Sequence, residues 1–471
     1  MLTSERLSAV DRAWLLMDRP ANPLLVVALV ILASPISRTA LRALVSERFL
    51  EFERFRCYPT SDALGASWVP ALQFDIDAHV LAASLPAPAG QAELETLVGE
   101  LASTPFNPCR PLWSYHLVER YQGGSAIIVR VHHCYADGIA LVRVLMSLAD
   151  AEANDAEASS EAQGNTVANA TPATGWSAAV HNGLQLLSQG SGLVEKGLHY
   201  VLHPVEASTV ARDALSVAGE LARLGTLADD PPTRLKHPLS GIRRVAWAAA
   251  LSLEEVRTIG RVLGCTVNDV LVATLAGALG RYLEEQGDRV QGLTIRAAVP
   301  VNLRSGDDEG SADGALGNQF GLVFVELPIG IRHPLERLYT VHTAMQTTKA
   351  SVQATTTFGL LAAIGYLPAP VEPPAIALFS AKASLVASNV PGPQEPLRLA
   401  GAAISEILFW VPQAGSIGTG VSMLSYNGRV QFGVIADRQM IPNPAELIAH
   451  VATEFERLVL LVLLGGAALR D

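Results

Sequence analysis

The sequence predicts an α+β protein built as two mixed-sheet units. Strand-like and helix-like runs alternate irregularly over residues 1–150 and again over residues 236–471, and a segment of different composition, residues 151–235, lies between them. A chain of 471 residues, 49% hydrophobic and only 17% charged, is long and apolar enough for two packed cores.

In the first unit the spacing of apolar residues predicts a helix over Ala9–Met17 and a buried strand over Leu24–Leu32. A helix near Glu93–Ala102 follows, then strands carrying Pro111-Leu112-Trp113 and Ala126–Val131. Asp150–Thr174 shifts to Ala, Ser, Asn, Glu and Gln, the composition of a flexible linker. Between Trp176 and Leu227, residues such as Leu184, Leu187, Leu198 and Leu202 return at helical spacing and predict amphipathic helices that pack across the two units. Their polar faces mix Glu195, Lys196, Arg212 and Asp213, which argues against docking on an anionic membrane. Asp229-Asp230-Pro231-Pro232 ends them. The second unit then predicts a strand at Arg244–Leu251, a helix opening at Ser252 and a helix led by Asn268-Asp269. Strands at Leu293–Pro300 and Leu322–Leu327 follow, and a last helix covers Ala445–Leu464.

A net charge of −11 and the lack of any basic tract exclude nucleic acid as a partner, since neutralising phosphates needs concentrated Lys and Arg. The mean hydropathy of +0.29 is high for a soluble enzyme and implies large buried surfaces or contact with lipid. Leu24–Ala33 and Leu458–Leu464 are both shorter than the roughly 20 residues of a spanning helix, and no basic segment with an apolar core opens the chain. The expectation is a cytoplasmic protein lying peripherally on a membrane or lipid inclusion. The oligomeric state is open. Cys57, Cys109, Cys134 and Cys265 are scattered without paired spacing and read as reduced thiols, with Cys134 a packing residue.

The chemistry centres on Val131–Ala140, VHHCYADGIA. Alternation along the preceding strand puts Ile127, Val129, Val131 and His133 on one face and Ile128, Arg130 and His132 on the other. The two histidines therefore point apart and do not chelate one metal, and a lone imidazole leaving an apolar face suits general-base work. His133 is the candidate base. Two readings stand side by side at this level: catalysis, or satisfied strand-end histidines followed by Asp137 as a helix cap.

His132-His133-x-x-x-Asp137-Gly138 matches the HHxxxDG signature of acyltransferases that resemble chloramphenicol acetyltransferase. With Pro111-Leu112-Trp113, Asn268-Asp269, Val299–Arg304, Gly317–Gly321 and Ser388–Pro393 in this order, the chain resembles the bacterial wax ester synthase/acyl-CoA:diacylglycerol acyltransferase family from Leu7–Asp11 to Gln431–Asp437. Two positions depart from it: Ala140 stands where a hydroxyl residue is expected, and Leu24-Leu25 follow Asn22-Pro23 where relatives often carry Met-His. The second departure bears on pocket shape.

The resemblance implies two chloramphenicol-acetyltransferase-like domains with an active-site tunnel between them. It also implies transfer of a fatty acyl group from acyl-CoA to a fatty alcohol or diacylglycerol, giving wax ester or triacylglycerol. His133 would be the base, in a motif with His132, and Asp137 would organise the loop through Arg304. Gly138 offers close backbone approach, an unusual dihedral or an ordinary turn. Asn268 is a candidate contact to the oxyanion or thioester, and Asp269 a supporting residue. Thr266–Asp269 equally fits a capping box. Pro111, Leu112 and Trp113 are substrate wall or strand core, and Ser388 and Asn389 are donors between the halves or a polar turn. Gly317–Gly321 reads as a tight crossing of strands. No metal or prosthetic group is indicated, and CoA enters only as part of the substrate. A carrier-protein-dependent condensation enzyme and a non-catalytic lipid-binding protein are the competing classes. The former calls for neighbouring synthetase modules, the latter for loss of the base.

Overall fold

The structure is a computed structural model and describes residues 5–62, 65–151, 225–303, 316–349, 351, 353–366 and 372–468. The linker and the amphipathic helices expected between Asp150 and residue 224 fall almost wholly outside the described residues, as does Arg304.

The first half contains β1 (Glu5–Arg6), α1 (Ala9–Met17), β2 (Leu25–Leu32), α2 (Arg38–Glu47), β3 (Cys57–Asp62), β4 (Gly65–Pro70), β5 (Val80–Ala83), α3 (Gln91–Ser103), β6 (Trp113–Tyr121), β7 (Gly124–His132), α4 (Gly138–Ser147) and β8 (Asp150–Ala151). Its main sheet has seven strands, with β2 in the middle, hydrogen-bonded on one side to β7 in antiparallel register. This position explains why LVVALVIL is apolar throughout instead of alternating. Val26, Ala28, Val30 and Leu32 enter one core, while Leu25, Val27, Leu29 and Ile31 enter another on the opposite face. In β7, Ile127, Val129 and Val131 likewise face the first core and Ala126 and Ile128 the second, as the alternation predicts.

The second half contains β9 (Arg243–Trp247), β10 (Leu251–Ser252), α5 (Leu253–Leu263), α6 (Val267–Glu285), β11 (Ile295–Asn302), β12 (Phe320–Leu327), α7 (Pro334–Lys349), α8 (Gln353–Tyr366), α9 (Glu372–Ser380), β13 (Leu385–Pro391), β14 (Leu397–Leu399), β15 (Ala402–Trp410), β16 (Thr419–Tyr426), β17 (Arg429–Asp437) and α10 (Pro444–Ala468). Its sheet is mixed: β13 runs parallel to both β11 and β16, and the other pairings are antiparallel. The single strand expected over Arg244–Leu251 is two, because β9 pairs with Gly433–Asp437 of β17 and β10 with Arg429–Val430, and past Ala248, whose N–H donates to the Phe432 carbonyl, the intervening alanines form no ladder pair. Ser252 caps α5 by accepting from the Glu255 N–H at 3.3 Å, and Thr266 with Asp269 forms the capping box that opens α6.

The halves are not separate in space. β15 pairs with β2 and β14 with β8, so two strands from beyond residue 396 complete the sheet of the first half. The core on the cavity side accordingly draws residues from both, Val26 and Val129 together with Phe320, Leu361 and Val390. A sequence boundary near residue 236 divides the chain but not the sheets. Among the described residues no single helix is long and apolar enough to cross a membrane.

Gly321 is where β12 meets α8 most closely: a Cβ there would lie 1.7 Å from the Ala354 carbonyl oxygen. Gly321→Ala should therefore cost about 1–3 kcal/mol or more by forcing the helix off the sheet. Urea denaturation would show this as a lower midpoint, and an unchanged midpoint would contradict the crossing.

Candidate active site

β7 delivers the two histidines to a turn that both halves hold. The His132 N–H donates to the Leu112 carbonyl and the His133 N–H to the Leu24 carbonyl, each at 2.9 Å, so the turn starts from a fixed ladder. The His133 ring stacks on Trp14 of α1, with centroids 4.3 Å apart and planes 6° apart, and packs on Phe320 of β12 at 5.6 Å. Only 5% of His133 is exposed. This burial pushes its pKa down to about 4, against the opposing pull of Asp137 and nearby carbonyls, so the imidazole is neutral at ordinary working pH.

Asp137 does two things at once. Its Oδ1 accepts from the Ala140 N–H at 2.9 Å, capping α4, and its Oδ2 accepts from the Gln319 N–H of the second half at 3.1 Å. The Asp137 N–H also donates to the Gly317 carbonyl, and the Gly317 N–H to the Tyr135 carbonyl. Gly317 turns the chain here with φ +101°, a conformation that favours glycine. Between these contacts the Asn318 carboxamide donates to the His133 carbonyl at 2.8 Å and to Asp11 Oδ1 at 2.7 Å. Burial pushes the Asp11 carboxyl up, while the Asn318 and Ser8 donors pull it down.

The cavity in front of His133 encloses about 1130 Å³ of empty space, part of it open to solvent. Its wall is mostly apolar, with Trp14, Val26, Leu361, Ile376 and Phe409 among the residues that face it. Ser388 and Asn389 of β13 supply polar groups to the same wall. His133, Asp137, Gly138, Ser388 and Asn389 are thus brought together.

Other expected site residues lie elsewhere. His132 is buried off the cavity, where its Nδ1 accepts from the Cys134 N–H at 3.1 Å and its Nε2 lies 3.7 Å from Asp18. The neighbouring Cys134 is fully buried, which pushes its thiol pKa well up and leaves it a packing residue. Pro111, Leu112 and Trp113 do not reach the cavity. Pro111 and Leu112 are buried just ahead of β6, and Trp113 is strand core, packed on Phe49 and His79 with its indole N–H donating to the Phe55 carbonyl, because β6 buries this end on both faces. Gly138, though on the cavity wall, has neither a positive φ nor a close neighbour; a Cβ would meet open space. Asn268 is behind the wall rather than on it, accepting a hydrogen bond from the Asn389 carboxamide. Asp269 is buried at the cap, where it accepts from the Thr266 N–H at 2.8 Å and pairs with His342 Nδ1 at 2.7 Å. Trp14, Phe320, Asn318 and Asp11 were not singled out individually by sequence. Asp11 and Asn318 belong to the ordered segments quoted above, and Trp14 sits at helical spacing with Val10 and Met17.

The chain matches the model of the wax ester synthase/diacylglycerol acyltransferase catalytic domain over residues 7–271 and that of the WS/DGAT C-terminal domain over residues 316–459. It is 30% identical to a Mycobacterium tuberculosis protein named as a diacylglycerol O-acyltransferase, over 96% of this chain and 90% of that one. A second from that organism is also 30% identical, over 86% and 84%. Among solved structures it is similar to a wax ester synthase/diacylglycerol acyltransferase from Marinobacter aquaeolei VT8, with TM-score 0.68 and 20% identity over 97% of this chain and 99% of that one. The first condensation domain of the calcium-dependent antibiotic synthetase also matches, with TM-score 0.59 and 16% identity over 98% and 96%. At such identities these two likenesses concern the fold, which is the paired mixed-sheet arrangement expected from the resemblance.

Asn318→Ala should leave the buried His133 carbonyl without its donor, at a cost of about 1–3 kcal/mol. A lowered denaturation midpoint with lowered turnover is the expected result; if both are unchanged, Asn318 does not hold the turn. The neutral imidazole is the basic form and is lost only as pH falls through its pKa. The acid limb of kcat/KM should therefore lie well below the 6.5 of free imidazole, towards about 4. A limb at 6.5 in a pH–rate profile would show that the site does not depress His133.

Proposed function

The chain belongs to the wax ester synthase/diacylglycerol acyltransferase family, and from that premise we propose how this cavity makes an ester: His133 acts as general base on the acceptor hydroxyl. The acyl donor is acyl-CoA and the acceptor a fatty alcohol or diacylglycerol. The observation that carries the reading is a neutral imidazole, stacked on Trp14, that lines a mostly apolar cavity. His133 takes the hydroxyl proton as the oxygen attacks the thioester carbonyl. The C–S bond then breaks, and the imidazolium returns the proton to the departing CoA thiolate, so no acyl-enzyme forms. Asp137 favours the imidazolium as it develops.

Holding both substrates in line is worth roughly 7–11 kcal/mol of barrier, and proton transfer adds about 10²–10⁴-fold. Orientation is the larger effect, and it depends on the walls from both halves. Ser388 and Asn389 are the polar groups for the oxyanion, with Asn268 orienting Asn389 from behind. No resident cofactor takes part in this scheme.

The proposal also places the protein peripherally on a membrane or lipid inclusion on the cytoplasmic side, where its acceptors are dissolved. Leu460, Leu463 and Leu464 support this, since at spacings of three and four they share one face of α10 and are 56%, 65% and 69% exposed.

The test follows CoA-thiol release from palmitoyl-CoA with hexadecanol or dipalmitoylglycerol, resolving the lipid products by chromatography. His133→Ala, shown by circular dichroism to be folded, should lose about 10²–10⁴-fold in ester formation. Equal activity would remove His133 from the mechanism, and no ester with either acceptor would overturn the substrate class.

A further inference from the structure

Away from the cavity, Cys265, Asp269 and His342 bring a sulfur, a carboxylate oxygen and an imidazole nitrogen within 4.8 Å of one another. We propose that these three side chains bind a divalent transition metal of the zinc class, pinning α7 to the start of α6.

The donors come from two helices that the fold already packs together and from the short connection ahead of one of them. Cys265 lies in the short connection after α5, Asp269 in the first turn of α6, and His342 midway along α7. The Asp269 carboxylate is held in place by the Thr266 N–H at 2.8 Å, the kind of supporting hydrogen bond that fixes a metal ligand's direction. His342 Nδ1 already lies 2.7 Å from Asp269 Oδ2. In a tetrahedral zinc site neighbouring donors stand roughly 3.5 Å apart, so the ring opens slightly and the sulfur closes in. Cys265 is half-buried and the His342 side chain 28% exposed, so both have room to rotate and an ion has a way in.

Charge selects the ion as well. Thiolate plus carboxylate balances a dication, which suits a half-buried site, and a donor set of S, N and O favours zinc over magnesium, which demands oxygen ligands. Three protein ligands leave the fourth position for water. The bound ion would fix Asp269 and hence its neighbour Asn268, whose side chain holds Asn389 against the cavity.

The test uses the full chain without any histidine tag, stripped by chelator and titrated with Zn²⁺ by calorimetry, alongside thermal denaturation. One Zn²⁺ should bind per chain and raise the midpoint, whereas Mg²⁺ should do neither. Cys265→Ser and His342→Gln spare the capping box and should keep the circular dichroism spectrum while weakening Zn²⁺ binding at least about tenfold. Asp269 is left intact because its loss would also uncap α6. No Zn²⁺ binding by wild type, equal binding by both variants, or an equal response to Mg²⁺ would each overturn the site.

Discussion

The structure depends on keeping the backbone of one buried turn hydrogen-bonded. Residues 133–137 leave β7 for a cavity that both sheets enclose, and their polar groups lose access to water there. An orphaned buried group costs about 1–3 kcal/mol, against the 0.5–1.5 kcal/mol or so that an ordinary hydrogen bond contributes, so each must find a partner. Leu24 supplies one from the first half. His132 takes the Cys134 and Tyr135 N–H groups within the turn, and Gly317, Asn318 and Gln319 supply further partners from the second half, Gln319 to the Asp137 side chain. Some of the contacts that hold the His133 turn, those with Gly317, Asn318 and Gln319, thus also dock the halves.

That economy sets the electrostatics of the site. A charged imidazole would be poorly solvated between Trp14 and Phe320, so burial favours the neutral form that the proposed role as general base requires. Oriented hydrogen bonds to the buried carboxylates oppose the corresponding penalty, although at Asp11 burial still outweighs them and the carboxyl stays raised. Asp11 takes the Asn318 carboxamide, Asp137 takes two backbone N–H groups, and Asp269 takes Thr266 and His342. Polar partners thus cluster at the seam and the caps while the cavity wall stays mostly apolar.

Local signals were legible in the sequence. The α1 boundaries, the Ser252 cap, the Thr266–Asp269 box and the opposed faces of β7 follow from spacing over a few residues, and the structure shows each. Features made by distant segments were not. The return of β15 to β2 pairs residues 404–410 with residues 27–32, and nothing in either strand's alternation names its partner. Pro111-Leu112-Trp113 shows the opposite failure: an alternating aromatic strand fits a substrate wall and a core equally, and here long-range packing against Phe49 and His79 decides for the core. Trp14 is on the buried face of α1, but its stacking on His133 depends on how that helix meets β7.

The two departures from the family pattern can now be weighed by position. Ala140 gives its N–H to the Asp137 carboxylate, and a backbone donor serves there whatever the side chain, so a missing hydroxyl leaves the cap intact. Leu24 offers its carbonyl to His133, while its side chain enters the core; Leu25 points to the opposite face of the sheet. Neither leucine lines the cavity, whereas Val26 does. On strand β2, pocket shape is therefore set by the first side chain after the departure. Under the proposed function, acceptor preference would then rest on Val26 and the facing side chains of α8, α9 and β15, which line the apolar space in front of His133.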